Sequence, residues 1–355
     1  MVMLISPNEL RDVKGTQPLC PLFGECGGCA FQDIPYEEEL LIKERTVKEE
    51  LCRWIDVEEK AFEPMIGSPQ PYRYRHRIDL KLQKTRNGIL IGFTPKEGFG
   101  ILPVDNCPIA EDSINRLIPA IKQEALGKIT AKHRQANLVI RTSQDGRVFW
   151  GGIGRKSLRM KEEDYFWAEI NGRRIFYSLD TFFQANLSIL PKLIQTMREL
   201  KIWSKERILF DLYGGVGLFG ISLADLVKKV ILIEEVGASI ELARHNAAYH
   251  RYSNMDVIEG RVEDRWPTLI EGQNGQGHII IIDPPRSGLS PQAKNVLCSS
   301  DNVKFILYLS CNPTSLARDL ADFLKEGWQL KKVIPFDFFP KTKHIETLAL
   351  LERQT

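Results

Sequence analysis

Three side chains that can move protons or attack carbon stand next to apolar runs of the chain. Asp283 follows the run HIIII and precedes two prolines and an arginine. Cys311 follows VKFILYLS and stands directly before a turn, where a thiolate could act as a nucleophile. Glu346 lies two residues after His344 and could act as a general base. Small buried cysteines and surface His and Glu residues are common, so these roles require that the three side chains meet.

A glycine-rich turn indicates a nucleoside site. The segment Asp211-Leu-Tyr-Gly-Gly-Val-Gly217 follows an apolar run, and its glycines allow the backbone to turn tightly against a ligand. The next apolar run ends at Glu234, and an acid at this distance commonly bonds ribose hydroxyls. The turn lacks the G-x-G-x-x-G pattern, which disfavours a dinucleotide. We therefore expect a site for an adenosine-type ligand.

Four of the seven cysteines have the pattern of metal ligands. Cys20, Cys26 and Cys29 form C-x5-C-x2-C, and Cys107 follows within Asn-Cys-Pro. Such a set can hold a tetrahedral zinc ion or a four-iron cluster, and the spacing leaves both open. It is not the C-x3-C-x2-C spacing of radical enzymes.

The elements that position these residues change in type along the chain. After residue 178, seven apolar runs alternate with helical stretches, which predicts an α/β fold with a doubly wound, mostly parallel sheet. Residues 71–177 contain short alternating strands and one helix near 111–125. Residues 36–54 predict an amphipathic helix with Leu40, Leu41, Val47, Leu51 and Trp54 on its apolar face. We expect a tail at 1–15, a central domain at 16–178 and a C-terminal domain at 179–355.

Composition and charge narrow the function classes. The 355 residues are 43% hydrophobic and 26% charged, which is typical of folded domains, and no apolar run approaches the ~20 residues of a membrane helix. The N-terminus lacks the pattern of a signal peptide, so we expect a cytoplasmic protein with reduced cysteines. The net charge of +2 hides a basic middle third, with 17 Lys/Arg and 7 Asp/Glu in residues 65–160. A clustered positive charge is typical of nucleic-acid binders, although an ordinary solvated surface is an equal alternative.

The motifs together resemble the RNA uracil-5-methyltransferase family of the iron–sulfur type, which forms 5-methyluridine. The resemblance covers residues from about 16 to the end. It is carried by CPLFGECGGCAFQDIPYEEEL, PVDNCPIA, FFQANLSIL, DLYGGVGLFG, IIIDPPRSGL, YLSCNPTSLARDL and FFPKTKHIETLALLER. It implies a Rossmann-like class I methyltransferase domain that binds S-adenosylmethionine, and a preceding RNA-binding domain with a [4Fe–4S] cluster.

The resemblance also implies a role for each residue that matches a motif. Cys311 is the nucleophile and Glu346 the base. The cluster ligands are Cys20, Cys26, Cys29 and Cys107, and the cofactor contacts are Gln184, Tyr213, Glu234 and Asp283. Only 19 residues precede Cys20, so we expect a member without the N-terminal TRAM domain. Gly214 and Leu218 replace the Cys and Asn that many members carry, which leaves the role of position 218 open.

The expected reaction is methyl transfer to carbon 5 of a uridine, with 23S ribosomal RNA favoured and tRNA possible. The basic segment RYRHRIDLKLQKTR at 73–86 should contact RNA, with Tyr74 suited to stacking on a base. Three alternatives remain: an amino-group methyltransferase, a metal-stapled RNA-binding protein without catalysis, and zinc in place of the iron cluster. A monomer is the default expectation.

Overall fold

The N-terminal and central elements build one helix and an antiparallel sheet. The computed structural model describes residues 15–86, 88–128, 135–153, 158–273 and 277–354. The elements are α1 (Tyr36–Cys52), β1 (Arg77–Thr85), β2 (Gly88–Phe93), β3 (Leu102–Pro103), α2 (Asp112–Lys128), β4 (Gln135–Thr142) and β5 (Val148–Gly151). The sheet order is β3-β2-β1-β4-β5. Alternation along β1 buries Ile78, Leu80 and Leu82 in a core shared with α2. The opposite face is open at Asp79 and Lys81, whereas Val139 and Arg141 of β4 are covered there by the C-terminal part of the chain.

A two-stranded hairpin follows and packs against the C-terminal part of the chain. It consists of β6 (Phe166–Ile170) and β7 (Arg173–Tyr177). Phe166, Ile175 and Tyr177 share a hydrophobic core with the C-terminal sheet. The hairpin lies before the domain boundary expected at residue 178, yet its apolar side packs in the C-terminal core. The position of the boundary stays a prediction.

The C-terminal part is a seven-stranded sheet with helices on both faces. Its elements are α3 (Leu190–Glu199), β8 (Ile208–Leu212), α4 (Leu218–Leu223), β9 (Lys229–Glu234), α5 (Gly237–Tyr249), β10 (Met255–Glu259), α6 (Val262–Glu271), β11 (His278–Ile282), α7 (Pro291–Cys298), β12 (Val303–Ser310), α8 (Pro313–Lys325), β13 (Trp328–Phe336) and β14 (Glu346–Arg353). The order is β10-β9-β8-β11-β12-β14-β13, and β14 runs antiparallel to both of its neighbours. The predicted doubly wound, mostly parallel sheet is confirmed.

Alternate residues of the central strands enter different cores, because successive side chains of a strand point to opposite faces. In β11, Ile279 and Ile281 lie in one core, and Ile280 and Ile282 lie in the other. Burial on both faces explains why these runs are almost purely apolar. Among the described residues, no helix combines the length and the apolar character that crossing a membrane requires.

Helix α1 forms as predicted, but its apolar face was partly wrong. Leu41 and Trp54 are 62% and 51% exposed. The buried side instead carries Glu39, Lys43, Val47 and Leu51, which recur every four residues. Val47 and Leu51 pack in the core that contains α8. The pattern was misread because two of the four buried positions are charged.

The two charges belong to a buried ion cluster that joins α1 to the segment before β14. The Nζ atom of Lys43 lies 2.8 Å from a carboxylate oxygen of Glu39 and 2.8 Å from one of Asp337. Lys341 completes the cluster, 3.2 Å from the second oxygen of Glu39. The hydroxyl of Tyr36 donates to Asp337 at 2.8 Å. Because buried charges are costly without partners, these contacts fix how the two segments meet.

We predict that Lys43→Met lowers the free energy of unfolding by about 3–5 kcal/mol, because it leaves buried carboxylates without their shared cation. Lys48→Met on the same helix is the matched control. It removes an exposed pair with Glu59 at 2.5 Å, which should contribute only about 0–1 kcal/mol. Urea unfolding midpoints measure both changes. Equal shifts in the two variants would contradict the importance of the buried cluster.

Candidate active site

Strand pairing places Cys311 beside Glu346. Ser310, the last residue of β12, pairs with Thr347 in the antiparallel strand β14. The next position along each strand is Cys311 on one side and Glu346 on the other. Glu346 also pairs with Phe336 of β13, which holds it from the other side. The sheet therefore brings together the two residues predicted as nucleophile and base.

The loop after β11 brings Asp283 and Arg286 to the same place. Ile282, the last residue of β11, pairs with Tyr308 in the parallel strand β12, so Asp283 leaves the sheet near Cys311. The side-chain amide of Asn312 donates to the carbonyl oxygen of Arg286 at 3.1 Å and ties this loop to the cysteine turn. A guanidinium nitrogen of Arg286 lies 3.5 Å from the Nε2 atom of His344.

The surroundings of Cys311 disfavour its thiolate in the free protein. Burial raises the pKa of the Cys311 thiol to about 11, and the nearby carboxylates of Glu346 and Asp283 add to the rise. The Arg286 cation acts in the opposite direction and lowers that pKa. Arg286 is therefore the side chain that favours the nucleophilic form of the thiol.

The amino end of α8 favours a negative charge beside Cys311. The Asn312 side chain accepts a hydrogen bond from the backbone N–H of Thr314 at 3.1 Å and caps the helix, with Pro313 at its first position. The remaining N–H groups of this first turn give the helix end a partial positive charge. This helix end and the Arg286 cation therefore both favour the thiolate.

Glu346 and Asp283 are carboxyls that hold their protons unusually well. Burial raises the pKa of Glu346 well above its usual range, Asp283 adds to the rise, and Arg286 opposes it. Burial also raises the pKa of Asp283 to about 7. Within the described part of the chain, no hydrogen bond reaches the buried Oε2 atom of Glu346. An unpartnered buried oxygen is rare and suits a group that exchanges a proton with a bound molecule.

The glycine turn after β8 borders a cavity of about 530 Å³ at the carboxyl ends of β8 and β9. Tyr213 and Glu234 line this cavity together with residues 260–263 and 287–291. Gly214 is required there, because an added Cβ atom would lie 2.4 Å from a side-chain carbon of Leu232. The Glu234 carboxylate accepts the backbone N–H of Gly215 at 2.9 Å, which ties the turn to β9.

Two predicted cofactor contacts lie outside this cavity. Its lining among the described residues includes neither Gln184 nor Asp283. Gln184 is buried in the segment before α3, next to Phe183, whose carbonyl oxygen accepts from the buried guanidinium of Arg141 at 3.0 Å. Leu218 packs in the hydrophobic core, so this structure gives it a packing role. The cofactor roles of Gln184 and Asp283 stay predictions.

The four predicted ligand cysteines line a single cavity of about 490 Å³. Gln32 accepts the backbone N–H of Cys20 at 3.0 Å, and Asn115 accepts that of Cys107 at 2.8 Å. Burial raises the pKa of the Cys29 thiol to about 11, although a hydrogen bond from Gln32 opposes it. In the part of the chain that the structure describes, no three His, Cys, Asp or Glu side chains are close enough to hold a single metal ion.

One residue of the basic segment 73–86 lies in a different place from the one predicted. Tyr74 is fully buried, and its hydroxyl donates to the carbonyl oxygen of Pro340 at 3.0 Å. The prediction that Tyr74 stacks on a base is therefore wrong. Arg75 lines the cysteine cavity, and its guanidinium carbon lies 5.8 Å from the ring centre of Phe339. Arg77 pairs with Asp79 at 2.9 Å.

Sequence reasoning missed the residues that support the reacting groups. Asn312 links the two loops, and its signal was present as an Asn-Pro pair at a helix start. The pair of Lys43 and Asp337 holds the segment before Glu346. The four-residue period of the buried positions in α1 was the signal for Lys43. The bond from Asn312 to Arg286 has no signal in the sequence, because it joins loops that only the sheet order makes neighbours.

Comparison with known proteins supports the same chemistry. The model of the tRNA (uracil-5-)-methyltransferase family matches residues 152–354. An uncharacterized RNA methyltransferase of Clostridium tetani is 30% identical, over 94% of this chain and 84% of that protein. The 23S rRNA (uracil(1939)-C(5))-methyltransferase RlmD of Vibrio parahaemolyticus is 27% identical, over 99% of this chain and 85% of that protein.

A solved structure shows the same fold. The Pyrococcus abyssi tRNA (uracil-54, C5)-methyltransferase, in complex with S-adenosyl-L-homocysteine, superposes with a TM-score of 0.66. It is 24% identical, and the match covers 92% of this chain and 86% of that one. The prediction of a class I methyltransferase fold is confirmed.

The family match extends over more than half of the chain, and relatives match nearly all of it. The resemblance stated from the motifs is therefore confirmed, and with it the prediction of an S-adenosylmethionine-dependent RNA uracil-5-methyltransferase. The chain belongs to the tRNA (uracil-5-)-methyltransferase family.

Proposed function

We propose that this enzyme methylates carbon 5 of a uridine through a covalent bond between Cys311 and the uracil ring. The observation that supports the proposal is the pairing of β12 with β14, which sets Cys311 beside the buried, unpartnered carboxyl of Glu346. A direct amino-group transfer would need neither a thiol nor a second proton acceptor at this place. The cysteine and the carboxyl together favour attack on the ring.

The residues divide the reaction into two steps. The Cys311 thiolate adds to carbon 6, the ring double bond opens, and negative charge develops at carbon 5. Carbon 5 would then bond the methyl carbon as the bond between that carbon and the donor's sulfonium sulfur breaks, with the neutral thioether as the leaving group. The Glu346 carboxylate removes the proton of carbon 5. The electrons of that C–H bond restore the ring double bond, and the carbon–sulfur bond breaks to release the thiolate. The target base must leave its stack to reach Cys311, at a cost of a few kcal/mol.

The methyl donor would be held at the carboxyl ends of β8 and β9. Tyr213 and Glu234 line the cavity there, and we assign them to the adenosine part. We assign Gln184 and Asp283 to the end of the donor that carries the methyl group, because Asp283 leaves the sheet near Cys311. S-adenosylmethionine supplies the electrophilic methyl group when it is bound.

The cysteine cavity suits an iron–sulfur cluster held by Cys20, Cys26, Cys29 and Cys107. Its thiols are half-buried or buried, and all four line the same cavity. Four cysteine thiolates are the usual ligand set of a [4Fe–4S] cluster. We assign the cluster a structural role, as a link between the N-terminal segment and the loop that carries Cys107.

We propose 23S ribosomal RNA as the substrate, because the RlmD relative matches 99% of the chain. A tRNA target by the same mechanism is the second candidate, since the solved structure of this fold is a tRNA enzyme. Mass mapping of 5-methyluridine in both RNAs, from cells with and without the gene, distinguishes them. Loss of the modification from tRNA alone would overturn the ribosomal assignment.

We predict that Cys311→Ala and Glu346→Gln fail at different steps. Cys311→Ala should abolish methyl transfer without loss of S-adenosylmethionine binding, because Cys311 does not line the cavity that we assign to the adenosine part. Glu346→Gln retains the nucleophile but cannot remove the proton. It should therefore accumulate a methylated RNA–protein adduct that survives denaturing electrophoresis.

RNA with 5-fluorouridine at the target provides the control, because fluorine cannot leave as a proton does. The wild type should form an adduct with this RNA, and Cys311→Ala should form none with either RNA. Full methylation by Cys311→Ala would contradict the covalent mechanism.

We predict that adduct formation with 5-fluorouridine RNA speeds up as pH rises from 6 to 9, because the raised pKa of Cys311 leaves little thiolate at neutral pH. Arg286→Gln removes the cation that lowers this pKa. It should slow adduct formation at saturating RNA by a nearly constant factor between pH 6 and 9, because the thiol pKa lies above this range with or without Arg286. Rapid-quench rates at saturating RNA measure both profiles. A defect that disappears when RNA is saturating would assign Arg286 to RNA binding instead.

We predict that protein purified without oxygen is brown and contains about four irons per chain, as a [4Fe–4S] cluster requires. Cys29→Ser should lose the colour and the iron, because it removes one ligand. Cys52→Ser is the matched control, since Cys52 is exposed at the end of α1. Elemental analysis that finds one zinc per chain and no iron would overturn the cluster.

A further inference from the structure

A fully exposed aromatic side chain stands on the loop between β2 and β3. Phe99 is completely accessible to solvent and lies between Gly98 and Gly100, whose φ angles of 88° and 108° favour glycine. Burial of a Phe side chain contributes about 1.5–3 kcal/mol. The fold gains none of this from Phe99, so its apolar ring remains free for a partner.

The base of this loop is fixed, although Phe99 itself is exposed. The backbone N–H of Lys96 donates to the carbonyl oxygen of Glu25 at 2.7 Å, and Pro95 forms a β-bridge with Cys26. The loop is thus tied to the cysteine segment. Phe99 therefore projects from a loop whose base is held in place by backbone contacts.

The returning end of the loop lies over the open face of the sheet. Gly92 pairs with Lys81, so their side-chain directions coincide. An added Cβ atom on Gly92 would lie 1.8 Å from the carbonyl oxygen of Leu102. The chain therefore passes directly over the face that carries Lys81.

The open face presents a cation and three amides. Lys81 pairs with Asn137, and Gln83 pairs with Gln135, which places the four side chains on one side of β1 and β4. With Gly100 and Ile101 of the loop, these residues line a cavity of about 320 Å³. The cavity thus has a polar floor, and its lining includes Gly100, the residue that follows Phe99 in the chain.

We propose that this open face and Phe99 bind one unpaired nucleotide of the RNA, at a site separate from Cys311. The proposal rests on the proposed function, whose substrate is RNA. Phe99 offers a ring on which a base can stack, the amides can bond the edges of that base, and Lys81 can contact a phosphate. An apolar protein segment suits the cavity less well, because its floor is made of amides and a charge.

Binding of a short fluorescein-labelled single-stranded oligouridylate to the full-length protein tests this site by fluorescence anisotropy. Phe99→Ala should weaken the affinity by about 5-fold to 150-fold, which corresponds to the loss of one stacked base. Phe99→Trp should retain the affinity. Lys81→Gln should reduce the slope of log affinity against log salt by about 0.7, because one phosphate contact is lost.

Trp54→Ala is the matched control, an exposed aromatic residue at the end of α1, and should leave the affinity unchanged. Melting temperatures should be equal for all variants with changes at position 99, since that side chain is fully exposed. If Phe99→Ala binds the oligouridylate as tightly as the wild type, or if duplex RNA competes equally well, the site is overturned. That result would leave the proposed methylation intact. A wild type that binds RNA through Phe99 but never methylates uridine would instead overturn the proposed function.

Discussion

The contact between Lys43 and Asp337 is the constraint on which the geometry of the site depends. Both side chains are inaccessible to water, so neither charge can be stable unless the other is in place. Lys43 also donates to the carbonyl oxygen of Phe339 at 3.1 Å, so one ammonium group holds two points of the segment that leads into β14. Glu346 is the first residue of that strand. The Lys43 charge on the N-terminal helix therefore helps to position Glu346, the proposed base.

The same segment joins the cysteine region to the methyltransferase sheet. The backbone N–H groups of Ala30 and Phe31 donate to the carbonyl oxygen of Lys341, which adopts a φ of 67°. Tyr74 bonds the neighbouring carbonyl of Pro340 from the central domain. Residues from the N-terminal, central and C-terminal parts therefore meet at two consecutive carbonyl groups. This arrangement ties the central part, which has its own hydrophobic core, to the C-terminal sheet.

Sequence patterns predicted what depends on local order and missed what depends on contacts between distant segments. The seven strands, the glycine turn and the grouping of four cysteines follow from periodicity and spacing. Tyr74 was assigned to the surface because its neighbours are basic, yet it is buried in the core beneath the cysteine region. The ion cluster was missed because a charged residue normally marks the exposed side of a helix. Asn312 and Arg286 act together only because β11 and β12 are adjacent in the sheet.

The antiparallel pairing of β12 with β14 has a consequence for how this site can change. The backbone hydrogen bonds of this pairing set the position of Cys311 relative to Glu346, the proposed nucleophile and base, and side chains along a strand alternate between the two faces. One residue inserted or deleted between Asp337 and Glu346 would either turn the carboxyl to the far side of the sheet or break the ion cluster. The segment can therefore accept new side chains at its exposed positions, such as Lys343, but not a new length.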